Sequence, residues 1–204
     1  MSGARGAVLA ALLMLAATPA QAQWLNIGVK GGVNVATQQI SGGGSGPGPQ
    51  PRVGVVAGVF DTLPAFSWLD VQAEAVYAAK GSKVTVEGVT TTEEIDYLEV
   101  PVLARVKKAA GRWKLYAEAG PSTGFRLRAR TRTSFSGSTE EIDIGNQVES
   151  IDFGVGMGAG VERGRLVIDV RYTLGLSDID KDKTDATKTK NRTIAVTVGY
   201  RLRH

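Results

Sequence analysis

Thr193-Ile194-Ala195-Val196-Thr197-Val198-Gly199-Tyr200-Arg201-Leu202 alternates without a break. In an extended chain, successive side chains point to opposite faces. Ile194, Val196, Val198, Tyr200 and Leu202 therefore share one side, and Thr193, Ala195, Thr197, Gly199 and Arg201 share the other. Such strict alternation marks a strand with one apolar face. The run is as long as a tilted strand needs to cross a bilayer, about nine to eleven residues.

Working back along the chain, the pattern repeats. Leu166, Ile168, Val170, Tyr172 and Leu174 oppose Arg165, Asp169, Arg171, Thr173 and Gly175. Ile151, Phe153, Val155, Met157 and Val161 oppose Asp152, the ladder Gly154-Gly156-Gly158-Gly160, and Glu162. Trp113, Leu115, Ala117 and Ala119 oppose Lys114, Tyr116, Glu118 and Gly120. Leu98 to Val106 opposes Glu99, Pro101 and Arg105, with Pro101 predicting a bulge or irregular pairing. Leu69 to Tyr77 opposes Asp70, Gln72 and Glu74, and weaker runs start at Val53 and Leu25. The total is eight, an even number.

Connection lengths alternate too. Short turns fall at 63–67, 109–111 and 163–164, and long polar connections at 36–51, 80–94, 128–149 and 177–190. Short turns on one rim and long loops on the other predict an all-β, eight-stranded antiparallel up-and-down transmembrane β-barrel, with both termini at the short-turn, periplasmic rim. A soluble ligand-binding barrel is the rival. It is disfavoured because the apolar parity carries no charge, the polar parity is glycine-rich as a tight lumen requires, and no flanking helix is visible. Trp24, Trp68 and Trp113 near one rim, with Tyr77, Phe125, Phe153 and Tyr172 towards the other, suggest interfacial girdles, although Trp24 and Trp68 fall on the inward parity.

Residues 1–22 read as a secretory signal peptide: Arg5, the apolar run Ala7–Ala17, then Ala20-Gln21-Ala22 before Gln23. The barrel domain would occupy 23–204, exported to the bacterial outer membrane. The 204 residues are 43% hydrophobic with mean hydropathy −0.04, which excludes a helical membrane bundle and a disordered chain. There is no cysteine, and the single histidine is His204. Disulfides, cysteine-based metal sites and His-centred barrel hydrolase chemistry are thereby excluded or left without their base. The net charge of +4 is spread and mixed in sign, so no nucleic-acid partner is expected.

Several motifs resemble one family. Gly28-Val29-Lys30-Gly31-Gly32-Val33-Asn34, Asp96-Tyr97-Leu98-Glu99-Val100-Pro101-Val102-Leu103, Glu118-Ala119-Gly120-Pro121, Gly156–Glu162, Arg171–Leu176 and Asn191–Tyr200 are similar to the PorT-like outer-membrane β-barrel family across nearly the whole exported chain. The resemblance implies a porin-like barrel surrounded by outer-membrane lipid and lipopolysaccharide, with barrel-assembly machinery as a partner during biogenesis. The secretion role of the family's founding member is not carried over. The end at Arg203-His204, rather than an aromatic, departs from the usual assembly signal.

No cofactor, metal site or catalytic residue is expected. Gly154–Gly160 repeats every second residue and so does not fit a dinucleotide fingerprint. Asp178-Ile179-Asp180-Lys181-Asp182 starts like a calcium loop but has Lys183 and Thr189 where glycine and glutamate belong. The inward parity predicts a lumen ion network of Lys30, Glu74, Glu99, Arg105, Glu118, Asp152, Asp169, Arg171 and Arg201, since buried charges must pair. The expected role is a small non-enzymatic envelope barrel, structural or binding, with a narrow passive pore for small solutes as alternative. Arg126, Arg128, Arg130 and Arg132 continue the fifth run with period two, which predicts all four on one side. They would bind surface phosphate or an acidic partner, or else pair with Glu140, Glu141, Asp143 and Glu149 on the returning arm, the simpler reading.

Overall fold

In the computed structural model, residues 26–41, 48–135, 138–181 and 188–202 are described. The signal-peptide reading, Trp24, most of the glycine-rich 42–51 segment, Asp182, Lys183 and His204 lie outside them. The strands are β1 (Ile27–Ser41), β2 (Gln50–Phe66), β3 (Leu69–Val86), β4 (Val89–Ala110), β5 (Trp113–Phe135), β6 (Ser138–Asp143), β7 (Ile151–Arg163), β8 (Leu166–Gly175) and β9 (Lys188–Arg201). Eight of them, all but β6, close into an antiparallel up-and-down ring, with β4 paired to β5 and β9 returning to β1. The β9–β1 seam is continuous from Gly28↔Arg201 to Ser41↔Lys188.

The two faces follow the alternation. Val33, Val55, Val102, Leu115, Ile168 and Val196 are exposed on the outside, where lipid would cover them. Inside, polar and charged residues are buried, among them Asn34, Gln72, Glu74, Arg105 and Asp169. A barrel that turns its apolar residues outward and its charges inward suits a bilayer and no aqueous exterior.

At one end the strands meet through two-residue turns: Ser67-Trp68, Gly111-Arg112 and Gly164-Arg165. Gly111 and Gly164 take positive φ there, 62° and 58°. Trp68 belongs to neither strand parity, because it sits in its turn and stacks on Phe66 with ring centroids 5.9 Å apart.

The other end departs from the expected loops. The 80–94 connection is not a loop. β3 and β4 stay paired up to Val86↔Val89, joined only by Glu87-Gly88, both at positive φ. That geometry matches the right-handed strand twist of a tight hairpin. Much of 128–149 is likewise strand, as β5 runs to Phe135 and β6 returns along it. β3, β4 and β5 are 18, 22 and 23 residues long against 10 for β8, so one wall of the barrel rises well above the other. Pro101 produces no bulge and pairs in register with Ser122. The irregularity lies higher, where Tyr97 faces Arg126 but Asp96 faces Arg128, leaving Leu127 as an extra residue on β5.

Candidate functional site: the lumen and its rim

Two glycine positions explain how so many charges fit within eight strands. Gly158 lies between Glu118 on β5 and Arg171 on β8, and Gly160 between Tyr116 and Asp169. A Cβ on Gly160 would stand 2.3 Å from the Tyr116 hydroxyl oxygen. The ladder on β7 is therefore the floor on which the large side chains of its neighbours lie.

From these strands a chain of alternating charge crosses the lumen. Lys30 Nζ lies 3.2 Å from both Glu74 and Asp169. Arg171 holds Glu74 with two nitrogens, at 2.8 and 2.7 Å, and reaches Glu118 at 2.7 Å. Arg105 continues from Glu118, 3.4 Å, to Glu162, 2.8 Å, and Arg201 closes the line on Glu162 at 2.5 Å. Gln72 ties the line sideways, donating to Glu74 and accepting from Arg105 and Thr62. The Arg105 guanidinium lies 3.6 Å from the Tyr116 ring centroid, a cation–π contact in a buried site. Four cations alternate with four carboxylates, so the line is neutral, as burial requires. The void beside it, lined by Lys30, Glu74, Arg171 and Thr197, is about 30 Å³, room for a water or two.

Glu99 and Asp152 are not on this line. Both approach Lys80, at 2.5 and 3.6 Å, nearer the high rim, and Asn191 donates to Asp152 at 2.8 Å. Lys80 and Glu162 join the expected network. The third run continues past Tyr77 as β3. The parity of Asp70, Gln72 and Glu74, carried three steps further, reaches Lys80. Lys107 and Asp70 form a further pair at 2.5 Å.

Above Lys80 an apolar cluster sits at the mouth. Ile95, Tyr97 and Ala129 from the strands pack with Ile144, Val148 and Ile179 from the connections. The connections are knitted together by Glu149 N–H to Ile179 O, 2.8 Å, and Lys181 N–H to Gln147 O, 2.9 Å. The supposed calcium loop is part of this cap. Asp178 accepts backbone hydrogen bonds from Asp180 and Thr189.

The arginine row is split. The extra residue at Leu127 shifts the parity of β5, because one inserted residue moves every later side chain to the other face. Arg126 consequently points inward beside Tyr97, donating to the Gly145 carbonyl, while Ala129 takes the inward side above it. Arg128, Arg130 and Arg132 face outward. Arg128 pairs with Asp96 at 2.9 Å, Arg130 with Glu94 and Glu141 at 2.5 Å each, and Arg132 with Glu141 at 3.2 Å. On the returning arm Glu141 pairs with Arg130 and Arg132, and Glu94 and Asp96 come from β4. The hydrogen bonds from Arg130 and Arg132 hold the Glu141 carboxyl below its ordinary range, and Glu141 and Glu94 in turn raise Arg130.

Asp96 anchors the arginine ladder, Tyr97 sits under the cap, Glu99 holds Lys80, and Pro101 is buried inward.

An even ring of transmembrane length, apolar outside and ion-paired inside, defines an outer-membrane β-barrel protein. The sequence matches the family of outer membrane protein beta-barrel domains over residues 20–181, and the chain belongs to that family. No curated protein matches it. Among solved structures it is similar to Neisserial surface protein A, with TM-score 0.50, 13% identity, and 87% of this chain and 97% of that one covered. It is also similar to Ail, the attachment invasion locus protein of Yersinia pestis, with TM-score 0.45, 15% identity, and 87% and 99% covered. The fold is shared with Neisserial surface protein A, and membership of the outer membrane barrel family places the chain in the outer membrane.

Proposed function

We propose that this chain is a non-enzymatic outer-membrane barrel with a sealed lumen, serving the envelope as a structural or binding element through its high wall and capped mouth. The observation that carries the reading is the neutral line from Asp169 through Lys30, Glu74, Arg171, Glu118, Arg105 and Glu162 to Arg201, which leaves so little void. Eight strands enclose an interior that side chains can just fill. A narrow pore would need a continuous water path, and the network occupies it.

Within the family, the Asp96–Leu103 motif and the Gly28–Asn34 opening support a PorT-like member. Residues 1–22 support export through a signal peptide, which leaves 23–204 as the barrel and puts the two-residue turns and both termini in the periplasm. Barrel-assembly machinery is then the partner during biogenesis, and lipopolysaccharide the outer neighbour. Fractionation of cells expressing the full chain tests this reading. Recovery from the outer membrane, with mobility that changes on heating, is expected. Recovery in a soluble periplasmic extract would overturn it, and swelling of sugar-loaded liposomes carrying the barrel would overturn the sealed lumen.

A further inference from the structure

The low wall carries cations of a different kind from those of the high wall. On β9 the outward parity of Ile194, Val196 and Val198 continues upward to Arg192, Lys190 and Lys188. Their neighbours across the seam on β1 are Thr37, Gln39 and Ser41, all neutral, and Leu174 of β8 stands opposite Arg192. Among the described residues no carboxylate pairs with any of the three, whereas Arg128, Arg130 and Arg132 are all engaged. Arg192 Nε is buried and has no hydrogen-bond partner. Directly below lie the exposed, lipid-facing Val33, Val35, Ile194 and Val196.

We propose that Lys188, Lys190 and Arg192 form a site for the phosphate groups of outer-leaflet glycolipid headgroups. This rests on the reading that the high rim faces outward. Alternate strand residues are roughly 6.8 Å apart, so the three cations form a vertical row at the level where an apolar belt gives way to polar surface. A guanidinium can grip a phosphate with two parallel hydrogen bonds, and two lysines add point charges above it. The ligand that meets both surfaces at once has acyl chains for the valines and a phosphorylated head for the row. The high-wall arginines cannot serve equally, because a phosphate there would have to displace Glu94, Asp96 or Glu141.

The test measures binding of bisphosphorylated lipid A to the purified full barrel in detergent. The same glycolipid after phosphatase treatment, phosphatidylglycerol and inorganic phosphate serve as comparators. Replacing Lys188, Lys190 and Arg192 together by Gln should weaken lipid A binding about tenfold or more, while replacing Arg128, Arg130 and Arg132 should leave it within about twofold. Equal binding of the dephosphorylated glycolipid or of phosphatidylglycerol overturns the proposal. So does saturation by inorganic phosphate without preference for the glycolipid. Because the chain has no cysteine, Lys188→Cys on intact cells reports orientation with a membrane-impermeant maleimide. Lack of label overturns the outward orientation and with it the outer-leaflet assignment. Label together with undiminished lipid A binding by the β9 variant overturns the site alone.

Discussion

Arg171 is a residue on which much of the lumen converges, because it holds both Glu74 and Glu118. Arg171→Ala leaves those carboxylates short of a partner in a buried interior, and breaking such a pair costs about 3–5 kcal/mol. Urea unfolding in lipid vesicles should show that loss, and a loss below about 1 kcal/mol would mean that the line does not hold the barrel together. Gly160 makes the complementary point about space. Gly160→Ala puts a methyl 2.3 Å from the Tyr116 oxygen and 2.5 Å from the Ile168 carbonyl, and should cost about 1–3 kcal/mol as overpacking does. Gly48→Ala, with nothing within 4 Å of its Cβ, is the control and should leave the unfolding midpoint in place. Equal midpoints for the two variants would contradict the account of the glycine ladder.

Among the elements, the high wall depends on its ion pairs more than on a core, since every residue of β6 is exposed. Glu141 ties β6 to β5, and its folded value lies below the ordinary 4.5. A carboxylate with a depressed folded value contributes stability above its unfolded value and loses it as pH falls through the folded one. Protection of β6 amides, corrected for intrinsic exchange, should therefore hold from pH 7 down to about 5 and fall below 4.5. Glu141→Gln should abolish that dependence, and protection that stays flat to pH 3 in the parent chain would exclude the ladder as its source. The same elements show what the sequence could reveal. The ring of eight, the short turns and the inward parity follow from alternation, which survives any context. The bulge at Leu127 does not, because Phe125-Arg126-Leu127-Arg128 alternates as well as any strand. Only pairing against Tyr97 and Asp96 on β4 reveals the extra residue. The cap was hidden for a related reason. Ile144, Val148 and Ile179 are single apolar residues in polar stretches, and they gain meaning only when the connections fold over one mouth.

On the proposed reading the whole molecule is a barrel closed twice, by a neutral ion line across its waist and by an apolar cluster at its mouth. The two closures differ in kind. The line rests on buried charge pairing, while the cap is apolar and draws Ile144, Val148 and Ile179 from connections. The waist therefore decides whether anything passes. Single-channel recording of the full barrel in planar bilayers tests this most directly. A sealed waist gives a flat current baseline at all voltages the bilayer tolerates. Reproducible conductance steps from the parent protein, in heat-modifiable and fully folded preparations, would contradict it and make the chain a pore.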